Sequence, residues 1–405
     1  MYRLSRSILL RFEPQFYSTY AAFDCTRVET CFYQRWQFDV LDYLARKPSD
    51  VQDMAAELDT DVDQLKDFLV SQVRSGFVIE ASEDEAFLPV YVPPRPDPDT
   101  FRGFPSPFLS APSTADIFLT RACNLKCSHC FARGGRPLPN ELSFQEWTST
   151  LDQLGKMGVL QVRVNGGEPF MHREIYDILH HLKNMRFRKL ILTNGTMLNE
   201  KAVDTLVECG VTPTISLDGP TARIHDDFRG ATGAFERTLR ALKLLRDKGV
   251  IYGINTCVHS ENIGKIEDMI QLAVKFGAAR IGVLGLAEVG RLAVTKKNMI
   301  SGPERVLLAL SLLRLARKYR GKIEIAETLV SHEPPLKTLG AFTCSIDSDG
   351  SVYPANRVLG DARFRVGSLR EASVRDVWFS RNWVPFRKGL NKIKGLGTEE
   401  VWGEL

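Results

Sequence analysis

The stretch that decides the fold is Cys123-Asn124-Leu125-Lys126-Cys127-Ser128-His129-Cys130, set directly after the run Ala115–Thr120. That run has the length and composition of a buried strand, and its end delivers three cysteines at C-x3-C-x2-C spacing onto one short loop. Three thiolates so placed can hold three corners of an iron–sulfur cube and leave the fourth iron open to an outside ligand. Structural zinc is the competing reading. It normally takes four ligands and pairs two Cys-x2-Cys hooks. No second hook exists in the chain, although His129 is available as a further ligand.

Outward from this loop, strands and helices alternate. Strand candidates are Ala115–Thr120, Gln161–Asn165, Lys189–Thr193, Thr212–Ser216, Tyr252–Val258 and Arg280–Leu284. Helical spacing fills about 144–156, 172–184, 200–209, 235–248 and 262–276. Six such units predict an α/β fold over residues 113–300, a partial (β/α)6 TIM-like barrel with its chemistry at the C-terminal strand ends. The second strand ends in Asn165-Gly166-Gly167-Glu168-Pro169, the third in Thr193-Asn194-Gly195-Thr196 and the fourth in Ser216-Leu217-Asp218-Gly219. Strand alternation puts Thr214, Ser216 and Asp218 on the face opposite Ile215 and Leu217, so the polar set is expected inside. On the fifth strand Gly253, Asn255, Cys257 and His259 share the inward face by the same rule. A thiol at Cys257 could return a hydrogen atom to a substrate radical, with Cys344 as rival donor; a quiet core cysteine is the plainer reading of Cys257.

The cysteine loop and the Gly-Gly-Glu turn, at this offset, resemble the signature of the radical S-adenosylmethionine (SAM) superfamily, over about residues 115–300. The resemblance implies one [4Fe–4S] cluster on Cys123, Cys127 and Cys130. It implies SAM bound to the open iron through its amino and carboxylate groups, and an adenosyl radical that takes hydrogen from substrate. It also implies roles for single residues. Phe131 flanks the adenine or simply packs. Gly166 and Gly167 let the backbone approach the SAM amino group, and Glu168 adds a charge-assisted hydrogen bond. Asn194, Ser216 and Asp218 lie by the ribose and its neighbours. Arg229 meets the SAM carboxylate or the substrate, or forms a surface salt bridge. The run Ser216-Leu217-Asp218-Gly219-Pro220 with His225-Asp226, Arg229-Gly230 and Gly233-Ala234-Phe235 is similar to the peptide-modifying branch.

Residues 1–85 form a unit of their own. Arg3–Phe12, Tyr17–Asp24 and Glu29–Tyr33 look like strands; helices follow at Gln34–Arg46, to about Leu58, and along Val62, Leu65, Phe68, Leu69 and Val73, before a short strand Phe77–Ile79. This winged-helix-like unit resembles the PqqD-like element that binds leader peptides, which would add as a strand to an open edge beside a helix. A DNA-binding winged helix or a structural cap are the alternatives; Asp61, Asp63 and Asp67 on the third helix and a net charge of only +4 speak against nucleic acid. Residues 86–112 carry prolines at 89, 93, 94, 96, 98, 105, 107 and 112, the composition of a stiff linker. Residues 301–405 are expected to form a small α+β extension: a helix Pro303–Lys318, a strand Lys322–Ala326 and a hairpin at Ser348-Asp349-Gly350. Phe342–Pro354 resembles the opening of a SPASM extension, but Ala355 stands where that element has a cysteine and none follows Cys344. One thiolate cannot hold an auxiliary cluster, so a single cluster is expected.

Hydrophobic residues make up 44% and charged residues 25%, the balance of a globular protein. No stretch is apolar enough to span a bilayer, and Arg11 interrupts Ile8-Leu9-Leu10 too early for a signal peptide. A cytoplasmic protein is expected. Its eight cysteines then serve packing, metal or catalysis rather than disulfides, with Cys25, Cys31 and Cys209 as small buried apolar residues. The expected function is radical modification of a ribosomally made precursor peptide by epimerisation, crosslinking or backbone excision, with a flavodoxin- or ferredoxin-type electron donor implied by the family. A small-molecule enzyme of a cofactor or haem pathway, and a non-catalytic peptide carrier, are the alternatives.

Overall fold

Residues 1–13, 19–24, 29–82, 89–90, 92–102, 104, 108–292, 299–327 and 340–387 are described by a computed structural model. Strand–helix alternation builds the barrel as follows: β6 Thr114–Phe118, α4 Phe144–Met157, β7 Gln161–Asn165, α5 Ile175–Leu182, β8 Arg188–Thr193, α6 Glu200–Cys209, β9 Thr212–Ser216, α7 Ala222–Arg229, α8 Ala234–Asp247, β10 Gly253–Val258, α9 Ile266–Phe276, β11 Arg280–Gly285, α10 Gly302–Lys318 and β12 Glu324–Glu327. Helix boundaries follow their caps. Ser143 and Glu146 close a capping box on α4, which Gly158 ends in the left-handed conformation. Asn199 caps α6 by accepting from Ala202 N–H, and Gly210 ends it in the left-handed conformation. Two cores fill the space between strands and helices, one around Trp147, Val162 and Ile178 and the other around Ile215, Ile254 and Ile270.

The sheet does not stop at residue 300. It runs β12-β11-β10-β9-β8-β7-β6 and continues through β13 Thr343–Ile346, β14 Ser351–Tyr353 and β15 Gly367–Ser368. All strands from β12 to β13 are parallel; β14 and β15 turn back antiparallel. The residues expected to form a separate extension thus add strands to both ends of the barrel sheet. α11 Val374–Trp378 and α12 Val384–Arg387 close the described chain.

The N-terminal unit holds a meander, β2 Ile8–Glu13, β3 Thr19–Asp24 and β4 Glu29–Tyr33, against α1 Arg35–Arg46, α2 Val51–Leu58 and α3 Val62–Ser75. The expected strand Arg3–Phe12 is two strands. β1 Tyr2–Leu4 pairs with β5 Val78–Glu80, and the chain turns at Ser5–Ser7 before β2. Tyr17 and Cys25 lie outside the described residues.

The proline-rich segment is not a free spacer. Val90 is buried in the N-terminal core, and Phe101 and Phe108 are buried in the barrel core beside Trp378 and Phe379. Proline fixes the path, but aromatic burial anchors it. At the join, Arg11 pairs with Glu13 and donates to the carbonyls of Ala111, Pro112 (3.4 Å) and Gly158 (3.3 Å). Glu13 accepts from the amide and hydroxyl of Ser110. Arg186 donates to the carbonyls of Arg6 and Ile8. Pro112, Gly158 and Arg186 each precede a barrel strand, so the unit sits against the base of the barrel.

Candidate active site

The cysteine loop is built onto the Gly-Gly-Glu turn, backbone to backbone. Gly167 N–H donates to the Thr120 carbonyl (2.6 Å) and Glu168 N–H to the Ala122 carbonyl (2.7 Å). A Cβ on Gly166 would stand 2.9 Å from the Thr120 oxygen, and one on Gly167 only 2.2 Å from that of Ala122. The glycines are therefore required by the contact between the two loops. Each cysteine sulfur receives a donor: Leu125 N–H on Cys123 (3.5 Å), Gly134 N–H on Cys130 (3.3 Å) and Arg229 Nη1 on Cys127 (3.8 Å). Burial among Leu125, Ala231 and Ala234 pushes the Cys127 thiol up, and pushes Cys123 up to about 12, in the free protein. Three sulfurs with one donor each, in an apolar nest, suit a cluster that delocalises negative charge over its sulfurs. Among the described residues no His, Cys, Asp or Glu group converges as one metal ion would need.

Glu168 is fully buried and its carboxylate is already engaged. It accepts from Thr193 Oγ1 (2.6 Å), Asn194 N–H (2.8 Å) and Phe170 N–H (3.3 Å). It therefore ties the end of β7 to the end of β8. Asn194 in turn donates to Asn124 of the cysteine loop (2.9 Å), whose amide reaches Thr196 (2.8 Å).

At the end of β9, Asp218 is fully buried against Arg229 (2.5 Å) and accepts from Cys257 N–H (2.7 Å). Burial opposes both charges, yet each holds the other ionised: Asp218 lies below its ordinary range and Arg229 above. The half-buried Cys257 side chain packs beside Phe228, with Asp218, Arg229 and Cys127 as its charged neighbours. The Phe228 ring is sandwiched between His129 (4.1 Å, 5°) and His259 (3.9 Å, 10°).

A second concavity lies on the N-terminal unit. Phe32 and Tyr33 of β4, Trp36, and Phe68 and Gln72 of α3 line a groove of about 560 Å³. Among the described residues β4 pairs only with β3, and its last three residues line this groove.

The sequence model of the radical SAM superfamily matches residues 117–273. An AdoMet-dependent heme synthase of Methanosarcina barkeri is 30% identical over 302 residues, 69% of this chain and 85% of that protein. Mycofactocin maturase MftC of Mycobacterium ulcerans is 30% identical over 306 residues, 72% of this chain and 80% of its own. The chain belongs to the radical SAM superfamily. The match to other haem synthases spans about half of their length. In fold it is similar to Streptococcus suis SuiB, crystallised with S-adenosylmethionine, at TM-score 0.70 and 18% identity over 96% of this chain and 89% of that one. Its cofactors are those characteristic of the superfamily, a [4Fe–4S] cluster and SAM. No helix among the described residues is long and apolar enough to cross a membrane.

For a radical SAM protein, several expected contacts need correcting. Glu168 already accepts from its own turn and from the end of β8, and Asp218 is paired with Arg229, so each also has a structural task. Arg229 is a buried ion pair rather than a surface one, and one of its nitrogens rests on Cys127. Cys344 stands in register with Ala115 and packs in the core against the outer helices, with Arg387 and Asp116 as its charged neighbours. It is therefore not aimed into the barrel and is excluded as a hydrogen donor. Gly166, Gly167 and Ser216 are half-buried at or just after strand ends, and Phe131 is half-buried in the cysteine loop.

Three supports of the site carried no signal in the sequence. Arg121 pairs with Asp347 and donates to the Ala132 carbonyl, binding the cysteine loop to the turn before β14. Arg291 donates to the carbonyls of Cys127 (3.0 Å) and Gly134. Asn262 bridges the carbonyls of Asp218 (2.9 Å) and Cys257 (2.8 Å).

Proposed function

We propose that the chain matures a ribosomally synthesised precursor peptide. In this reading residues 1–85 are a PqqD-like leader-recognition domain of winged-helix type and 86–112 the connection. Residues 113–300 are the catalytic barrel, and 301–405 a SPASM-like remnant that holds no second cluster. The observation that carries it is the groove between β4 and α3, whose aromatic lining suits an extended peptide. The likeness to MftC supports it, as does the likeness in fold to SuiB, which has been crystallised with the precursor peptide SuiA.

Cys123, Cys127 and Cys130 would hold the cluster, with Phe131, Gly166, Gly167, Asn194 and Ser216 around SAM. What the bound cofactors supply is reductive cleavage of SAM to an adenosyl radical, the hydrogen-abstracting agent. The chain's own part is to exclude water and fix geometry. Glu168 and Asp218 lock the strand ends, and Arg229 sets a positive charge against the cysteines. Cys257 would be the hydrogen donor: its S–H bond breaks as a C–H bond forms on the substrate, and one electron from the flavodoxin- or ferredoxin-type donor with one proton from solvent returns the thiyl radical to the thiol. A second reading, a small-molecule enzyme, is favoured by the identity to haem synthases.

The test is anaerobic reconstitution, iron and sulfide counting, and mass spectrometry for 5′-deoxyadenosine after reduction with SAM. Titration with a peptide encoded by a neighbouring short reading frame follows. About four irons, deoxyadenosine, and peptide binding lost on deletion of residues 1–85 are expected. About eight irons would overturn the single cluster; normal deoxyadenosine with no peptide binding would favour the small-molecule reading.

A further inference from the structure

Beside the cysteine loop lies a cavity of about 880 Å³. Phe131, the residue after Cys130, forms part of its wall; the rest comes from the segment after β11 and from the turns at 357–364. The wall is fused to the cysteine loop. A Cβ on Gly290 would lie 2.4 Å from both the Cys130 oxygen and the Phe131 Cα, and Arg291 N–H donates to the Cys130 carbonyl at 3.1 Å. Whatever fills this space lies against the loop that would carry the cluster.

The charge of the lining is lopsided. Arg133, Arg305, Arg357 and Arg363 face two carboxylates, Glu288 and Asp361. Asp361 is consumed by Arg363, which grips it at 2.6 and 3.0 Å. Arg305 reaches only a carbonyl, that of Leu286 at 3.4 Å, and its Nε is buried with no hydrogen-bond partner among the described residues. Arg133 is held at φ 51°, a conformation non-glycine residues seldom adopt, by the turn that closes the cysteine loop. It has no acidic group within ion-pair distance among the described residues. Between the arginines the walls are apolar, with Leu286, Val289, Val358, Leu359 and Phe364.

We infer that this cavity is the substrate pocket and that it selects a substrate bearing a carboxylate beside apolar surface, gripped by Arg305 and Arg133 with Arg357 alongside. The Arg305 and Arg133 guanidiniums, short of acidic partners in a partly apolar site, are matched by a bidentate carboxylate. The inference rests on the proposed reaction taking place beside the cysteine loop. The carboxylate has two sources, an acidic side chain of a peptide or the acid groups of a small molecule.

The experiment uses the full-length, reconstituted protein and equilibrium binding, so that no turnover is needed. The probes are a fluorescein-labelled octapeptide of alternating Glu and Phe, the same peptide with Gln for Glu, and coproporphyrin III, which carries carboxylates on a flat apolar ring. The Glu peptide is expected to bind about tenfold tighter than its Gln counterpart. Arg305→Gln and Arg133→Asn should each remove that preference, Arg305→Lys should restore part of it, and SAM affinity should stay unchanged throughout. Arg280→Gln, a surface change at the start of β11, should leave everything as it was. Using two sites keeps the test decisive if one variant misfolds. Equal affinity for the two peptides without porphyrin binding overturns the proposal. So does an unchanged preference in both variants, or a loss of SAM binding in place of peptide binding. Arginine-dependent binding of the porphyrin alone upholds the carboxylate pocket and overturns the peptide reading.

Discussion

The top of the barrel and the groove of the N-terminal unit at its base are lined by different chemistry. Around the cysteines, buried groups are spent on one another: Glu168 on Thr193 and Asn194, Asp218 on Arg229 and Cys257, Arg121 on Asp347. In the groove, Tyr33 donates to Gln72 (2.8 Å), and the rings of Phe32, Trp36 and Phe68 supply much of the lining. A site that must hold a reactive cofactor in one geometry is over-determined by its own protein. A groove proposed to take a peptide offers aromatic surface instead.

The sharpest way to break this contrast is at the sulfurs. Cys127→Ala should abolish stable iron binding and lower deoxyadenosine formation by about a thousandfold or more, checked by iron analysis and mass spectrometry, while leader binding at the groove persists. Next comes the internal lock. Asp218→Asn strands the buried Arg229 charge and should cost about 3–5 kcal/mol in denaturant unfolding; a loss below 1 kcal/mol would mean the pair is solvated.

A third effect is pH. Burial, then the Arg229 charge, holds His225 at about 4 against the ordinary 6.5. Its neutral form adds stability that is complete above about pH 6.5 and fades as the pH falls through the folded-state value. Melting between neutral pH and pH 4.5 should therefore drop by about 2–3 kcal/mol more in the parent than in His225→Gln; parallel curves would refute it. The smallest effect belongs to the groove. Trp36→Ala, which removes a ring packed 5.4 Å from Phe68, should weaken leader binding about tenfold and leave peptide-free deoxyadenosine formation unchanged.

The parts of this molecule readable from sequence are those in which a local pattern has one structural meaning. The cysteine spacing, the alternation along β9 and β10 and the glycines that end helices all fall in this class. The inward position of Ser216 and Cys257 followed from period two alone. What escaped reading depends on partners far along the chain. Nothing near Arg121 announces Asp347, and nothing in a proline-rich run announces that Phe101 and Phe108 will fill the barrel core. The same limit hid the partners of Glu168 and Asp218: Thr193 and Asn194 arrive from the end of β8, and Arg229 from α7. The strand break at Ser5–Ser7 was missed because both halves share one apolar alternation.

The seat of the N-terminal unit has a consequence for substrate length. Arg11 and Arg186 pin it to the strand starts, while the cysteines stand at the strand ends. On the proposed reading, a leader held in the groove would have to run from the strand starts to the strand ends before the modified residue could enter the mouth. The seat of the unit would then set a minimum spacing between the leader and the residue it presents.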